Sequence, residues 1–228
     1  MNASVSLGGE LSTAVQDYTK AIWSLARRTD TPVSTSAIAE RLRVSPASAS
    51  AMVKRLESLG LAAREPYHGV RLTDAGERVA LEVLRYHRLL ELYLARALGM
   101  PWDRVHAEAE VLEHAISPEL SQRISDALGN PTHDPHGDPI PGPDGKIEEP
   151  PTRPLAELEA GESGTFVRVS DSDPDMLRYL TERGISPGDR FEVVEKQPFE
   201  GPISVRFGPE VHVLGGALTR AMRTEARR

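Results

Sequence analysis

The stretch HAEAEVLEHAIS, residues 106–117, carries imidazoles and carboxylates at helical spacing. Four of these groups lie at i, i+4, i+7 and i+8, so a helix would present them on one face. They are His106, Glu110, Glu113 and His114. A helix normally keeps its apolar residues at that spacing. Carboxylates and imidazoles together bind divalent cations such as Mn²⁺, Fe²⁺, Zn²⁺, Co²⁺ and Ni²⁺.

A second stretch, HRLLE, repeats the pattern, because His87 and Glu91 are i and i+4 on one helical face. Taken singly, each group has an ordinary explanation: a solvated charge, or a histidine satisfied by hydrogen bonds in a core. Two helices that each present His and Glu instead favour a shared cation. The chain has no cysteine, which excludes disulfides and thiolate ligands and fits a cytoplasmic protein.

The same residues do not match the common catalytic patterns. Di-iron bundle enzymes use Glu-x-x-His on paired helices, whereas here Glu110 is followed by Glu113 and then His114. We find no nucleophile elbow, phosphate loop or His-Glu-x-x-His motif. The sequence therefore predicts a protein that is not an enzyme and has no small organic substrate.

The charge of the chain is uneven. Its net charge is −7, yet residues 20–71 contain nine basic and four acidic side chains, a local excess of +5. A basic segment inside an acidic protein is typical of a nucleic-acid-binding element. No apolar run is long enough to cross a membrane, and the N-terminus does not resemble a signal peptide. We therefore expect no membrane partner.

The basic segment has the pattern of a winged helix-turn-helix. Helices are predicted at 11–28, at 34–42 and from Ser45 to a stop at Gly60, followed by a hairpin around PYHG. Ser45 and Pro46 are typical N-cap and first-turn residues. The second helix of such a motif enters the major groove of double-stranded DNA. The alternative is a helical hairpin packed inside another kind of domain.

The predicted DNA-binding residues fall into two groups. The first is the start of the third helix, where small side chains let the backbone approach DNA and hydroxyls contact bases or phosphates. The second group lies on the turn, the helix and the wing, and its side chains are expected to contact DNA phosphates. Together they are Ser45, Pro46, Ala47, Ser48, Ser50, Lys54, Arg43, Tyr67, His68 and Arg71.

The rest of the chain predicts two further domains. Helices at 76–98, 101–116 and 117–128 form a helical unit whose apolar excess suggests a homodimer surface. A Pro-, Gly- and Asp-rich linker or loop follows at 129–154, and then short alternating strands with one helix. The fold class is mainly α with a C-terminal β-barrel of SH3-like size. We expect domains at 1–76, 77–150 and 151–228.

These motifs, in this order, resemble the diphtheria toxin repressor and manganese transport regulator family of metal-dependent transcriptional repressors. The resemblance spans residues 11–226 and includes IAERLRVSPASASAMVKRLESLGL, YHRLLELYL, VHAEAEVLEHAIS and DPHGDPIP. It implies a winged helix-turn-helix, a helical metal-binding and dimerisation domain, and an SH3-like domain.

The resemblance also implies a primary metal site. Asp17, just before a tyrosine, and Glu110 match positions that the manganese branch fills with Asp and Glu and the iron branch with Met and Cys. Glu113 and His114 match an invariant pair. One branch of the family lacks the SH3-like domain and binds two ions, using a ligand at the position of His87 and a Glu at the position of Lys20. Because this chain has Lys instead of Glu there, the resemblance leaves the second ion of that branch in doubt.

A second, ancillary site is implied by the same resemblance. His87, Glu91 and His106 match its helical positions. Some manganese-sensing members with an SH3-like domain draw ligands from a loop like DPHG and from that domain, and these implied ligands are Asp134, His136 and Asp171. Asp173 is an equal candidate for the last of them. The alternative for Asp134 is ordinary turn hydrogen bonding.

The sequence thus predicts a repressor of metal-uptake genes that binds operator DNA as a homodimer. The oxygen donors Asp17 and Glu110 favour Mn²⁺ over Fe²⁺ as the activating ion. A second possibility is an Fe²⁺-activated repressor of iron uptake. A third is a winged-helix regulator that binds an organic ligand or a protein partner, with the charged helix face merely solvated.

Overall fold

A computed structural model describes residues 11–29, 31–65 and 68–227 of the chain. The chain forms two compact units. The first runs to His87 and adds Glu110–Ala127 and Pro141–Lys146; the second comprises Arg88–Ala109, Leu128–Ile140 and the chain from Ile147 onward. Within the described residues, no helix has the length and apolar character needed to cross a membrane.

The first unit begins with the predicted winged helix-turn-helix. Helices α1 (Thr13–Thr29), α2 (Thr35–Leu42) and α3 (Pro46–Ser58) precede an antiparallel hairpin of β1 (Ala62–Glu65) and β2 (Gly69–Leu72). Val33 forms a bridge with Val70, which joins the segment before α2 to the hairpin. The prediction of three helices and a wing is confirmed.

The turn between α2 and α3 has a specific local cause. Arg43 caps α2 in the left-handed conformation, with φ of 53°, and its N–H donates to the last carbonyls of that helix. Ser45 then caps α3, because its hydroxyl accepts from the Ser48 N–H at 3.1 Å. The two hydroxyls of Ser45 and Ser48 also lie 2.8 Å apart and share a hydrogen bond. Pro46 occupies the first turn, where its missing N–H costs nothing.

The core of this winged-helix region is almost entirely aliphatic, as the scarcity of aromatic residues predicts. Its buried members come from α1, α2, α3, the hairpin and the start of the next helix. They are Val15, Tyr18, Ile22, Val33, Ile38, Ala39, Ala49, Val53, Leu56, Leu61, Ala62, Val70 and Val79. Burial of these side chains, not hydrogen bonding, supplies most of the driving force for folding this region.

Three further helices follow: α4 (Asp74–Leu98), α5 (Val105–Leu112) and α6 (Pro118–Ala127). The prediction of one helix over 101–116 is wrong at its end, because α5 stops at Leu112 and the following residues form a turn. The cause lies just downstream. Pro118 disfavours helical backbone at the residue before it, and the Ser117 hydroxyl caps α6 by accepting from the Leu120 N–H at 3.1 Å.

The second unit contains a six-stranded antiparallel sheet. Its strands are β3 (Arg153–Pro154), β4 (Ser163–Val169), β5 (Arg190–Lys196), β6 (Ile203–Phe207), β7 (Glu210–Leu214) and β8 (Met222–Arg227), in the order β3-β8-β4-β5-β6-β7. Helices α7 (Pro174–Thr181) and α8 (Gly216–Ala221) and one 3₁₀ turn at Leu155–Glu157 accompany it.

The prediction of a closed β-barrel is not confirmed. In the part of the chain that the structure describes, the edge strands β3 and β7 are not paired with each other. The predicted short alternating strands correspond to β4, β5, β6 and β7, and the sequence did not predict β3 and β8, which extend the sheet beyond β4. The sheet covers a core of Leu, Val, Ile, Phe and Met side chains that includes Phe166, Val193 and Leu214.

The segment predicted as a linker or extended loop, 129–154, is partly packed. Asp134, His136 and Ile140 are buried, and His133 bridges to Pro139. The Val169 N–H donates to the His136 carbonyl at 3.0 Å, which fixes this loop against β4. A linker reading is therefore wrong for residues 133–140, because backbone hydrogen bonds and burial hold them in one conformation.

Candidate metal centres

The first cluster of candidate ligands lies in the first unit. Asp17 projects from α1, and Glu113 and His114 from the turn after α5. His114 Nε2 is 3.0 Å from Asp17 Oδ1 and 3.5 Å from Glu113 Oε1. The other ring nitrogen, Nδ1, is 2.6 Å from Gln16 Oε1, so a neighbouring amide orients the ring. One ligand atom from each of Asp17, Glu113 and His114 lies within 4.8 Å of the others.

Glu113 also belongs to a second group of the same cluster. His87 Nδ1, from α4, is 2.5 Å from Glu113 Oε2 and 3.7 Å from Glu110 Oε1. The side chain of Glu113 is completely buried, whereas that of Glu110 is 41% exposed. Lys20, from α1, inserts its ammonium between the two carboxylates, at 2.8 Å from Glu110 Oε1 and 2.5 Å from Glu113 Oε1.

Burial sets the electrostatics of this first cluster. Burial raises the pKa of Asp17, and the nearby side chains of His114 and Lys20 only partly offset that rise. Burial also lowers the pKa of Lys20, but Glu113 and Glu110 outweigh that effect, so the pKa of Lys20 is raised and the ammonium stays charged. The cluster is therefore a set of carboxylates that needs positive charge nearby.

The second cluster lies in the second unit. His106 Nδ1, on α5, is 3.2 Å from Glu91 Oε1 of α4 and 2.9 Å from Asp171 Oδ2, which follows β4. Asp173, the equal candidate in the sequence, is used differently: it caps α7 by accepting from the Asp175 N–H at 3.0 Å. The structure thus brings Asp171 to His106.

The DPHG loop adds two more side chains to this second cluster. One ligand atom from each of Glu91, Asp134 and His136 lies within 4.8 Å of the others, and all three residues are buried. His136 Nε2 is 2.8 Å from the Trp102 carbonyl, but Nδ1 is buried and has no hydrogen-bond partner among the described residues. Its nearest carboxylate, Glu91 Oε2, is 3.8 Å away, which is too far for a hydrogen bond.

Asp134 makes the turn hydrogen bonds that the sequence offered as the alternative to metal binding. Its Oδ1 accepts from the N–H groups of His136 at 2.8 Å and Asp138 at 2.9 Å, which is ordinary turn hydrogen bonding. Its Oδ2 faces Arg88 Nε at 3.7 Å. Burial, with the nearby carboxylates Asp138 and Glu91, raises the pKa of Asp134 well above its usual range.

Both clusters fit a divalent cation. They combine carboxylate oxygens with imidazole nitrogens, the donor set that Mn²⁺, Fe²⁺ and Zn²⁺ accept. Buried carboxylates need a positive partner, and the unpartnered Nδ1 of His136 is a buried donor or acceptor that lacks its hydrogen bond. The ligand assignments of Asp17, Glu110, Glu113, His114, His87, Glu91, His106, Asp134, His136 and Asp171 stay predictions.

The stripe read from the sequence divides between the two units. His106 lies on α5 in the second unit, whereas Glu110, Glu113 and His114 belong to the first unit. Glu113 and His114 lie in the turn after α5, so helical spacing does not describe their positions. Because these two residues are adjacent in a turn and not on a continuing helix, their side chains reach the same cluster by a geometry that helical periodicity does not predict.

Three nearby side chains were not singled out as site residues in the sequence. Gln16 orients His114, and Arg88 lies beside Asp134 and Asp138. Lys20 was noted only as a departure from a family pattern. Gln16 and Arg88 gave no signal in the sequence, because both residue types are common on helices. The only available clue was that each directly adjoins a candidate ligand.

The predicted DNA-binding residues are mostly accessible. Ser45, Pro46, Ala47, Ser48, Lys54, Arg43, His68 and Arg71 are exposed and Ser50 is half-buried. Arg71 Nε donates to Glu65 Oε1 at 2.7 Å, so part of its charge is already paired within the wing. Tyr67 lies outside the described residues.

His106 gives a pH-dependent prediction for the metal-free protein. Burial lowers its pKa, but hydrogen bonds with Asp171 and Glu91 outweigh this and raise the pKa from 6.5 to about 10. A histidine whose pKa is raised in the folded state stabilises fully below about 6.5, and this contribution is lost as the pH rises through about 10. Urea unfolding after chelation, between pH 6 and pH 10, should therefore show a larger loss of stability for the wild type than for His106→Gln.

His68→Gln, a change at an exposed histidine of the wing, is the matched control. Its unfolding free energy should follow that of the wild type across the same range. Parallel curves for the wild type and His106→Gln would contradict the prediction.

Comparisons with known proteins agree with this arrangement. Residues 10–70 match the family described as "Iron dependent repressor, N-terminal DNA binding domain". Residues 73–142 match "Iron dependent repressor, metal binding and dimerisation domain", and residues 153–222 match the FeoA domain. The chain is therefore a DNA-binding repressor with a dimerisation domain, and the expectation that it is not an enzyme is confirmed.

Individual relatives give the same result. The iron-dependent repressor IdeR of Mycobacterium bovis is 33% identical over 228 residues, which covers 95% of this chain and 98% of that protein. A solved "Manganese-dependent transcriptional repressor complex with manganese" is 44% identical with a TM-score of 0.86, covering 93% of this chain and 100% of the other. ScaR with bound Zn²⁺ is 28% identical with a TM-score of 0.77, covering 92% and 98%.

The chain belongs to the diphtheria toxin repressor family of metal-dependent transcriptional repressors. The family expected from the sequence motifs is thereby confirmed.

Proposed function

We propose that this chain is a cytoplasmic, Mn²⁺-activated repressor that binds operator DNA as a homodimer and controls metal-uptake genes. The observation that carries the choice of ion is the donor set of the first cluster. Asp17 and Glu110 supply oxygen, with Glu113 and His114 beside them. A solved manganese-dependent repressor that is 44% identical supports the same ion. Hard oxygen donors suit Mn²⁺, although Fe²⁺ also accepts oxygen and nitrogen.

In the first cluster the ion supplies positive charge. We propose Asp17, Glu110, Glu113 and His114 as its ligands. Without the ion, Asp17 on α1 and Glu113 after α5 repel each other, which leaves α1 free to adopt other arrangements. With the ion, α1 is tied to the turn after α5. The ion acts by favouring the DNA-competent arrangement over others.

In the second cluster we propose Glu91, His106, Asp171, Asp134 and His136 as ligands of a separate ion. The buried Nδ1 of His136 and the buried carboxylate of Glu91 support this assignment. At neutral pH the raised pKa of His106, about 10, means that its ring must release a proton to bind an ion.

The homodimer is supported by apolar side chains on α5 and α6 of the first unit. Val111 is 73% exposed and Leu120 is 49% exposed, with Leu112 partly exposed between them. Apolar side chains left exposed in a helical domain favour self-association. A dimer would present two copies of α3 to successive major grooves, about 34 Å apart.

The test is DNA binding at controlled free-metal concentration. We would titrate the metal-stripped protein onto a duplex from its own promoter and follow fluorescence anisotropy with Mn²⁺, anaerobic Fe²⁺ or Zn²⁺. Binding should appear only with metal and at the lowest free concentration with Mn²⁺. Lys54 is exposed on α3, and we propose that it contacts a phosphate. Lys54→Gln should therefore weaken DNA binding and flatten its salt dependence while leaving the affinity for the ion unchanged.

Activation by Fe²⁺ at lower free concentration would move the proposal to iron sensing, which a 33% identical iron-dependent repressor makes the second candidate. Binding that does not depend on any metal would overturn the proposal.

A further inference from the structure

Trp102 contacts a proposed ligand of the second cluster with both its ring and its backbone. Its indole ring is stacked on the imidazole of His136, with the ring centroids 5.8 Å apart and the planes inclined by 18°. An offset stack of this kind is a favourable arrangement of two aromatic rings. The Trp102 carbonyl oxygen lies 2.8 Å from His136 Nε2. Within the second unit, one residue therefore restrains both the plane of this buried imidazole and one of its two nitrogens.

The hydrogen bond to the carbonyl decides which ring nitrogen of His136 can bind an ion. A carbonyl oxygen only accepts, so Nε2 must carry a hydrogen. In a neutral imidazole the other nitrogen then has the free lone pair. That atom is Nδ1, which is buried, has no hydrogen-bond partner among the described residues and lies 3.8 Å from Glu91 Oε2. Nδ1 is therefore the nitrogen that is both available and beside a carboxylate of the second cluster.

Trp102 is itself held by α7. Its indole N–H donates to the Thr181 hydroxyl at 2.5 Å, and that hydroxyl donates in turn to the Leu177 carbonyl at 2.9 Å. The next residue, Asp103, forms an ion pair with Arg178 of the same helix at 3.1 Å. The indole ring also packs against the core of the sheet. Because the turn between α4 and α5 is anchored at these points, the indole has little freedom to move away from His136.

We propose that Trp102 is a positioning residue of the second cluster, which holds the His136 ring so that Nδ1, and not Nε2, binds the ion. The proposal rests on the proposed metal-dependent function and adds the binding atom of His136 and the side chain that orients it. Trp102 does not contact the ion. It acts through His136, in the way that hydrogen-bond partners of metal-binding histidines fix the ring and the nitrogen that carries the hydrogen.

The first experiment identifies the binding atom. In protein labelled with nitrogen-15 histidine, nuclear magnetic resonance distinguishes the two ring nitrogens, and the signals that His136→Gln removes belong to His136. The measurement uses a Glu113→Gln background, where we expect the first cluster not to bind, and Zn²⁺ as a diamagnetic substitute for Mn²⁺. Nε2 should carry a hydrogen before and after Zn²⁺ is added, and the Nδ1 resonance should shift on binding. An Nε2 without hydrogen in the ion-free protein, or Zn²⁺ bound at Nε2, would overturn the proposal.

The second experiment tests the Trp102 side chain by calorimetry with Mn²⁺ in the same background. Trp102→Leu keeps an apolar side chain but removes the flat ring and the indole N–H, and should lower the affinity of the second cluster by about 10- to 100-fold. Trp102→Phe restores a flat ring that can stack on His136 and should recover most of that loss. Thr181→Val removes the acceptor of the indole N–H at nearly the same shape and should cause a smaller loss.

Trp23→Leu is the matched control. Trp23 is the other tryptophan of the chain, and its half-buried ring lies on α1 in the first unit. Its replacement should leave the affinity of the second cluster unchanged. If circular dichroism shows that Trp102→Leu does not fold, the comparison of Thr181→Val with the parent carries the test, and an unchanged affinity there would overturn the proposal.

The outcomes separate this proposal from the proposed function. An unchanged affinity in Trp102→Leu, or a loss that Trp102→Phe does not recover, would overturn the role of Trp102 while leaving metal-dependent repression intact. No ion bound in the Glu113→Gln background would overturn it as well, because the second cluster would then not be a metal site. Metal-independent DNA binding by the wild type would overturn the proposed function itself.

Discussion

Glu113→Gln is expected to abolish metal-activated DNA binding and to lower the affinity of the first cluster for Mn²⁺ by more than about 100-fold, since outer-shell partners alone are worth about 10- to 100-fold. Glu113 is the residue common to both ligand groups of that cluster. Its buried carboxylate lies 2.5 Å from His87 Nδ1 and 3.5 Å from His114 Nε2. The amide of Gln preserves the shape but removes the negative charge that attracts the ion.

The measurement is a thermal melt with and without Mn²⁺, combined with anisotropy on the operator. When the free ion concentration is about 100 times the dissociation constant, an ion that binds only the folded state stabilises the protein by about 2.7 kcal/mol. The share of this stabilisation that comes from the first cluster should disappear in Glu113→Gln. Glu108→Gln makes the same chemical change at an exposed site of α5 and should behave as the wild type. Normal metal activation in Glu113→Gln would show that the first cluster is not the regulatory site.

Gly137→Ala is expected to disable the second cluster selectively. Gly137 has φ of +86°, and an added Cβ would lie 1.9 Å from the Val167 carbonyl oxygen of β4. A non-glycine residue in such backbone costs about 1–3 kcal/mol by itself. The clash adds to this cost, because the atoms that the added Cβ would meet belong to the backbone of β4 and cannot move aside as a flexible side chain could. The loop that carries Asp134 and His136 should therefore shift away from β4.

Gly161→Ala is the matched control for this change. Its φ is +89°, but an added Cβ would meet no atom within 4 Å, so it carries the backbone cost without the clash. Ion binding should be measured in a Glu113→Gln background, where the first cluster is silent. Gly137→Ala should lose the remaining ion and Gly161→Ala should keep it. Equal effects of the two variants would mean that close packing of the loop on β4 does not position the second cluster.

The helices of the winged domain were predictable because local signals agree there. Ser34 and Ser45 cap α2 and α3, Pro46 starts α3, and apolar spacing marks the buried faces. The ends of the sheet were not predictable. β3 pairs only two residues, one of them a proline, and β8 follows α8 directly. Neither has the isolated alternating pattern between turns that identifies a strand in sequence.

The candidate sites were predictable in residue type but not in grouping. Helical spacing placed His106, Glu110, Glu113 and His114 on one face, whereas Ser117 and Pro118 begin a new helix and so α5 ends early. The approach of Asp171 to His106 joins positions 65 residues apart, which no periodicity within one element specifies. The placement of Lys20 between two carboxylates likewise depends on contacts about 90 residues away in sequence.

The paired hydroxyls at the start of α3 bear on how much operator variation this repressor tolerates. Ser45 and Ser48 hydrogen-bond to each other, and Ser45 also caps the helix. Residues 45–53 contain no Arg, Lys, Asn or Gln, the side chains that make bidentate contacts worth about 1–3 kcal/mol per base pair. Discrimination by this stretch must then come from single serine hydroxyl contacts, thymine methyl groups, water and DNA shape. Each single-base change should therefore weaken binding only slightly, so operators of decreasing similarity would be bound one after another as the metal concentration rises.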